Sequence, residues 1–300
     1  MLPLMPLMHP GVSVSPRVAS FFHASSCTWS HVASDPDSSA AVVIDPVLDF
    51  DYAAGSAGTA SAEAIVAHVR AARLRVQWIL ETHAHADHLT AAPYLKRSVG
   101  GRIAIGSGIR AVQAHFAAVL GFEPGFRSDG SQFDHLFADD EHFTIGALAA
   151  QALAVPGHTS DSVAYRIGDA LFVGDSLFMP DVGTARCDFP GGDAGVLYDS
   201  IRRLLALADD TRIFVCHDYP PAGREPRCQT TVREQRAASI HVRDGIDRDT
   251  FIALRTARDR TLAAPALLYP AVQVNVRAGE LPPREPNGTA YLKTPIRGPW

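Results

Sequence analysis

Thr82-His83-Ala84-His85-Ala86-Asp87-His88 places three imidazoles and a carboxylate within six residues, with nothing bulkier than alanine between them. The segment follows directly on an apolar run, residues 76–82 (VQWILET). A polar loop that is merely rich in histidine is the bland alternative. It fits poorly, because clustering ionisable groups at the end of a buried strand is costly unless they are paired or bind something. Imidazole combined with carboxylate suits zinc, iron or manganese, and not calcium or magnesium. The spacing predicts a metal-binding loop at a strand end.

Working outward, other segments repeat the pattern. Pro156-Gly157-His158-Thr159 is a tight turn presenting one histidine, Gly174-Asp175-Ser176 offers one carboxylate after an apolar strand, and His217 follows the strand-like residues 212–216. Taken singly each is weak, since a lone histidine is usually structural or exposed; with the cluster they complete a ligand count. Ligands delivered at strand ends are the habit of α/β scaffolds. The remaining periodicity predicts alternating strands and helices. Strands are expected at 41–45, 76–82, 102–106, 142–145, 153–155, 163–167, 170–173 and 212–216. Helices are expected at 61–73 with Ser61 as N-cap, and at 89–99, 109–120, 196–208, 230–240 and 247–258. Residues 46–59 and 121–140 are read as loops.

The bulk numbers set limits. The chain has 300 residues, 47% hydrophobic and 20% charged, with a net charge of −5. That suits a folded globular protein with a sizeable core. No long basic run marks a nucleic-acid surface, and no apolar run is long enough to span a membrane. The four cysteines form no CxxC pair, which favours a reducing, cytoplasmic setting. Residues 1–15 are read as a flexible N-terminal extension. Residues 16–300 are read as a single domain whose last stretch, 265–300, is Pro-rich and irregular. No GxGxxG fingerprint or GxSxG elbow occurs, so dinucleotide binding and serine hydrolysis are unsupported.

The order HxHxDH, then His158 after Pro-Gly, Asp175 after Gly, and His217 resembles the metal-binding order of the metallo-β-lactamase superfamily. The resemblance implies an α/β (α+β) fold, the αββα sandwich, with the site at one edge of two sheets. The segment Gly183-Thr184-Ala185-Arg186-Cys187-Asp188-Phe189, with Pro190-Gly191-Gly192-Asp193 behind it, narrows the likeness. It is similar to the glyoxalase II-like branch, and within it to the persulfide dioxygenases and the bacterial β-lactamase hydrolase-like proteins. Cys216-His217-Asp218-Tyr219 and the stretch from Asn275 to Gly279 resemble further segments of those families.

That resemblance implies an oxidation of glutathione persulfide, or a similar small persulfide, by O2 to sulfite and glutathione, in sulfide detoxification. One Fe(II) per chain is held by a facial triad, matched here to His83, His158 and Asp175. His85, Asp87, His88 and His217 are then groups that orient ligands and water, or else ligands of a second metal. Arg186 and Tyr219 are expected near the substrate as catalytic or binding groups. For Arg186 an ion pair with Asp188 is the competing account, and for Tyr219 a core aromatic with a satisfied hydroxyl. Arg277 is expected to bind a glutathione carboxylate, with a surface role as the competing account. A homodimer is expected by analogy. Two alternatives stay open: a glyoxalase II-like thiolester hydrolase with two zinc ions per chain, and a non-catalytic metal or sulfide sensor.

Overall fold

The computed structural model describes residues 15–296 and 298. The expected N-terminal extension falls outside them except for Ser15. In chain order the first half carries β1 (Arg17–His23), β2 (Thr28–Ser34), β3 (Ala40–Ile44), β4 (Val47–Asp51), β5 (Ser56–Gly58), α1 (Ala60–Ala71), β6 (Arg75–Leu80), β7 (Leu89–Thr90), α2 (Ala92–Val99), β8 (Arg102–Gly106), α3 (Ile109–Leu120) and β9 (His135–Phe137). The second half carries β10 (His142–Ile145), β11 (Leu148–Ala154), β12 (Val163–Ile167), β13 (Ala170–Phe172), α4 (Ala194–Leu204), β14 (Arg212–Phe214), β15 (Gln229–Thr231), α5 (Val232–Ala238), α6 (Arg248–Asp259) and α7 (Leu268–Asn275).

Each half supplies a six-stranded sheet. The first has the order β1-β2-β3-β6-β8-β9 and the second β10-β11-β12-β13-β14-β15, with β5-β4-β7 forming a small third sheet. Side-chain alternation turns the two large sheets into four layers. Along β3, Ala40, Val42 and Ile44 face the second sheet, where they meet Tyr165, Ile167 and Phe172. Ala41 and Val43 face the other way, onto α1, α2, α3 and α7 through Ile65, Leu95, Ile109 and Val272. The outer face of the second sheet, Leu153, Ala164, Leu171 and Ile213, packs on α4, α5 and α6 through Leu197, Ile201, Val232 and Phe251. A strand buried on both faces reads as a continuous apolar run, which is why residues 41–44 stand out in the sequence; β6 is continuously buried only at its end, Ile79 and Leu80. This is the αββα sandwich. Among the described residues, no helix is long and apolar enough to cross a membrane.

The differences from the sequence expectation have local causes. Residues 46–59 contain β4 and β5. Residue 59, and not Ser61, is the N-cap of α1. Ser61 instead donates its hydroxyl to Asp49 Oδ1 at 2.7 Å and its backbone N–H to Asp49 Oδ2 at 3.0 Å, so a neighbouring strand caps the helix. The expected helix at 89–99 begins as β7, and only 92–99 are helical, with Pro93 in the first turn. Residues 265–300 contain α7, which is buried from Pro270 to Asn275. Asp193 caps α4, accepting from Val196 N at 2.8 Å.

Candidate metal centre

The histidine loop leaves β6 and is tied down from three directions. Asp45, the residue after β3, takes a left-handed conformation at φ 48°. Its carboxylate accepts from Thr82 N at 2.7 Å, Thr82 Oγ1 at 2.9 Å and His85 Nε2 at 3.0 Å. Asp161 accepts from Ala84 N at 2.8 Å. Asn275, at the end of α7, donates to the carbonyls of His85 and His88, both at 2.8 Å, and accepts from Thr90 N at 3.0 Å. All three are buried. Sequence reading passed over Asp45 and Asp161 as a strand end and a loop residue, and placed Asn275 in a family segment without a role. An isolated acidic residue after an apolar strand was the available signal for Asp45.

The other ligands arrive on equally constrained turns. Gly157 has φ 134°, and a Cβ there would lie 2.3 Å from the Leu197 backbone. Only glycine lets the His158 turn pack on α4. Gly183 (φ 96°) has the same role beneath His241, whose Nδ1 lies 2.2 Å from the Cβ position.

Every imidazole of the set has one nitrogen anchored and the other turned inward. His158 Nδ1 donates to Arg186 O at 2.7 Å and His88 Nδ1 to Leu89 O at 3.3 Å. Thr82 spends its single proton on Asp45, so its oxygen accepts from His83 Nδ1 at 3.1 Å. His217 Nδ1 meets Thr28 Oγ1 at 3.3 Å. The inward atoms His85 Nδ1, His88 Nε2, His217 Nε2, Asp87 Oδ2 and Asp175 Oδ1 are buried without a hydrogen-bond partner. Anchored outer nitrogens with stranded inner ones are the signature of metal-ligating histidine, and buried polar atoms are otherwise paired. The donor set therefore fits a metal.

His83, His158 and Asp175 form one ligand group, each offering an atom within 4.8 Å of the others; His83 Nε2 and His158 Nε2 lie 3.9 and 3.5 Å from Asp175 Oδ2. His217 Nε2 sits 3.3 Å from Asp87 Oδ2 and 3.4 Å from Asp175 Oδ1. All seven expected ligands are thus gathered. The electrostatics divide them. Burial, reinforced by the neighbouring imidazoles, holds His83 well below its ordinary pKa, and burial with His85 nearby lowers His88 to about 3. Both are neutral and ready to ligate at pH 7. Burial would also lower His85, but Asp45 and Glu81 outweigh it and hold it well above the usual value.

Above the centre opens a cavity of about 720 Å³, with His83, Asp87, His158 and Asp175 in its floor and Phe178, Phe189 and Tyr219 on its walls. Tyr219 stacks on His217 at 5.7 Å and meets Phe178 edge-on. Tyr219 is half-exposed, and partial desolvation, then the nearby Asp87 and Asp175 carboxylates, raise its phenol above the ordinary range, so it stays protonated. Arg186 lines the cavity but is spoken for: it grips Asp188 at 2.5 and 2.7 Å and donates to Ala263 O at 2.6 Å. Arg277, expected at the substrate, is elsewhere. It is buried, pairs with Glu123 at 2.7 and 2.9 Å, and stacks over Phe122 and Phe126. Its role is to lock α7 to the segment after α3. Arg277→Ala is expected to cost about 1.5–3 kcal/mol, the range for hydrogen bonds to charged groups. The denaturation midpoint should fall while KM stays unchanged; a raised KM in a fully stable variant would restore the substrate role.

The metallo-beta-lactamase superfamily model matches residues 31–217. A probable metallo-hydrolase of Burkholderia pseudomallei (strain 1710b) is 49% identical over 289 residues, covering 93% of this chain and 98% of that protein. A beta-lactamase hydrolase-like protein of Xylella fastidiosa (strain Temecula1 / ATCC 700964) is 48% identical over 282 residues; they make up 94% of this chain but only 65% of that longer protein. The mitochondrial persulfide dioxygenase ETHE1 of Homo sapiens is 28% identical, covering 86% of this chain and 87% of its own. The crystal structure of ETHE1 from Myxococcus xanthus superimposes with a TM-score of 0.69 at 28% identity, over 88% of this chain and all of that one.

Proposed function

We propose a function from one premise: the chain belongs to the metallo-beta-lactamase superfamily. Within it, the chain is read as a persulfide dioxygenase that converts glutathione persulfide, O2 and water to sulfite and glutathione. The observation that carries this reading is the three-ligand group of His83, His158 and Asp175 at the cavity floor. Two imidazoles and one carboxylate make the facial triad that suits ferrous iron. One Fe(II) held there supplies the redox chemistry and the open positions that O2 and a persulfide sulfur need in order to react. Likeness to proteins named persulfide dioxygenase, in sequence and in fold, supports the same reading.

The chain's own residues set up the encounter. Arg186 O fixes the His158 tautomer, so that Nε2 faces inward. Thr82 does the same for His83. Phe178 and Phe189 give the cavity apolar walls that exclude water from a reactive sulfur. Tyr219, protonated at neutral pH, is placed to donate a hydrogen bond to the bound persulfide. Arg186 acts as a positioning residue. Four free cysteines accord with a reducing, cytoplasmic setting.

The test is O2 uptake by anaerobically purified, iron-loaded protein given glutathione persulfide, with sulfite and metal measured on the same sample. Uptake with sulfite formed and about one iron per chain at the triad is expected. No uptake from protein holding two zinc ions would instead support a thiolester hydrolase. The hydrolase-like names of the 48–49% identical relatives, and the full set of seven ligands, favour that as the second reading; S-lactoylglutathione turnover decides it.

A further inference from the structure

Part of the cavity wall is built by α6 and the segments on either side of it, through Ile240, His241, Arg258 and Leu262, and no step described above uses it. Three arginines line the cavity, and two are taken. Arg186 is held by Asp188, and Arg255 is buried against Asp259. Arg258, in the last turn of α6, is exposed, and its side chain has no ion-pair or hydrogen-bond partner among the described residues. The acid nearest in role, Asp181 on the same cavity lining, is already gripped by Arg224 at 2.7 and 3.1 Å.

His241 is only 6% exposed. Its Nδ1 accepts from Thr184 N at 3.0 Å, so the ring proton sits on Nε2. Nε2 has no partner among the described residues, and the ring lines the cavity, so its N–H is available there. Burial, then the charges of Arg255 and Arg258, lower His241 to about 4, which keeps the ring a neutral donor at pH 7 and places the Arg258 charge close to it. Gly183 makes the arrangement possible, since any side chain there would collide with this ring. Ile240 and Leu262 are exposed apolar side chains on the same wall.

We propose that Arg258 and His241 form the subsite for a carboxylate of the small thiol that carries the reacting sulfur. A guanidinium and a neutral N–H give donors to both oxygens of one carboxylate. One unpaired cation matches one such group. A tail bearing several phosphates would leave most of its charge uncompensated above Asp87 and Asp175. A cavity of about 720 Å³ is of the size that takes a small organic ligand whole. With its carboxylate on α6, the carrier directs its sulfur to the floor where the triad lies. This is the task expected of Arg277, assigned to a different residue. The inference rests on the reading that the cavity takes a small thiol carrier, which the persulfide and the thiolester reactions share.

The experiment titrates the full chain, in its metal-loaded form and without oxygen, with glutathione and with glutathione diethyl ester, and reads Kd by calorimetry. The wild type is expected to bind the acid about tenfold more tightly than the ester, the worth of one charge-assisted contact. Arg258→Met is expected to remove that preference by weakening the acid alone, and Arg258→Lys to recover part of it. KM for glutathione persulfide should rise in Arg258→Met. His241→Phe, which keeps a ring and loses the N–H, should also weaken the acid and spare the ester; Arg258 is exposed, so its variants decide the matter even where His241→Phe fails to fold. Equal binding of acid and ester by the wild type, no measurable glutathione binding, an unchanged glutathione Kd in Arg258→Met, or equal weakening of both ligands overturns the proposal. So does tighter binding of coenzyme A than of glutathione, which would make phosphate the recognised group. None of these outcomes depends on O2 uptake by the wild type, so failure of the subsite and failure of the dioxygenase reading are told apart.

Discussion

Asp175→Ala is expected to abolish iron retention and to lower persulfide-dependent O2 uptake by more than about a hundredfold, since loss of an outer partner alone costs about 10- to 100-fold. Asp175 is the carboxylate common to both inner neighbourhoods: Oδ2 faces His83 and His158, and Oδ1 faces His217. Removing it leaves two imidazoles at the triad and no carboxylate ligand, so the site keeps neither the charge nor the geometry that ferrous iron needs. His83→Ala and His158→Ala should match it, because each removes one of only three ligands. His85→Ala should keep most of its iron. A metal titration with uptake measured on each variant checks the pattern. If Asp175→Ala retained iron and His85→Ala lost it, the triad assignment would be wrong, and a site built on the HxH pair would replace it.

The gathering of candidate metal ligands was legible in the sequence because metal chemistry concentrates rare residue types at strand ends. Three histidines within six residues, following a strand whose end is buried, leave few other readings. The four layers were legible for a related reason, since β3 is apolar throughout and β6 ends on the apolar run Trp78, Ile79 and Leu80. What stayed hidden shares a different cause. Asp45, Asp161 and Asn275 each act on the histidine loop from 37 to 190 residues away, through hydrogen bonds that leave no local pattern. The helix α7 shows no apolar stripe because it is buried from Pro270 to Asn275 on every side. Strands β5 and β7, of three and two residues, are too short to register as a period of two, and β4 follows Pro46 with Asp49 and Asp51 interrupting its apolar residues. Arg277 was placed at the substrate by family likeness, and the sequence held no sign of its partner Glu123, which lies 154 residues away.

The same long-range logic makes Asp259 the most sensitive position outside the metal shell. Arg255 is 1% exposed and Asp259 6%, one turn apart on α6, joined at 2.8 and 2.6 Å. The pair does more than satisfy itself. Asp259 Oδ2 accepts from Cys187 N at 2.8 Å, and Arg255 donates to Thr184 O at 3.0 Å. Between those two anchors lies Arg186, whose carbonyl holds His158 Nδ1. A route thus runs from α6 through the loop 184–187 to a triad ligand. Asp259→Ala strands a buried guanidinium and is expected to cost about 3–5 kcal/mol. At about 2 °C per kcal/mol in a chain of this size, Tm should fall by about 6 °C or more. Iron affinity should fall with it, because the Arg186 carbonyl loses its support. The double variant Arg255→Met/Asp259→Leu separates the two effects. It removes the stranded charge, so much of the stability should return, since replacing a buried ion pair by apolar groups is often neutral. It also removes the acceptor for Cys187 N, so the iron affinity should stay low. If both properties recovered together, the pair would be a matter of stability alone and the route to His158 would not exist.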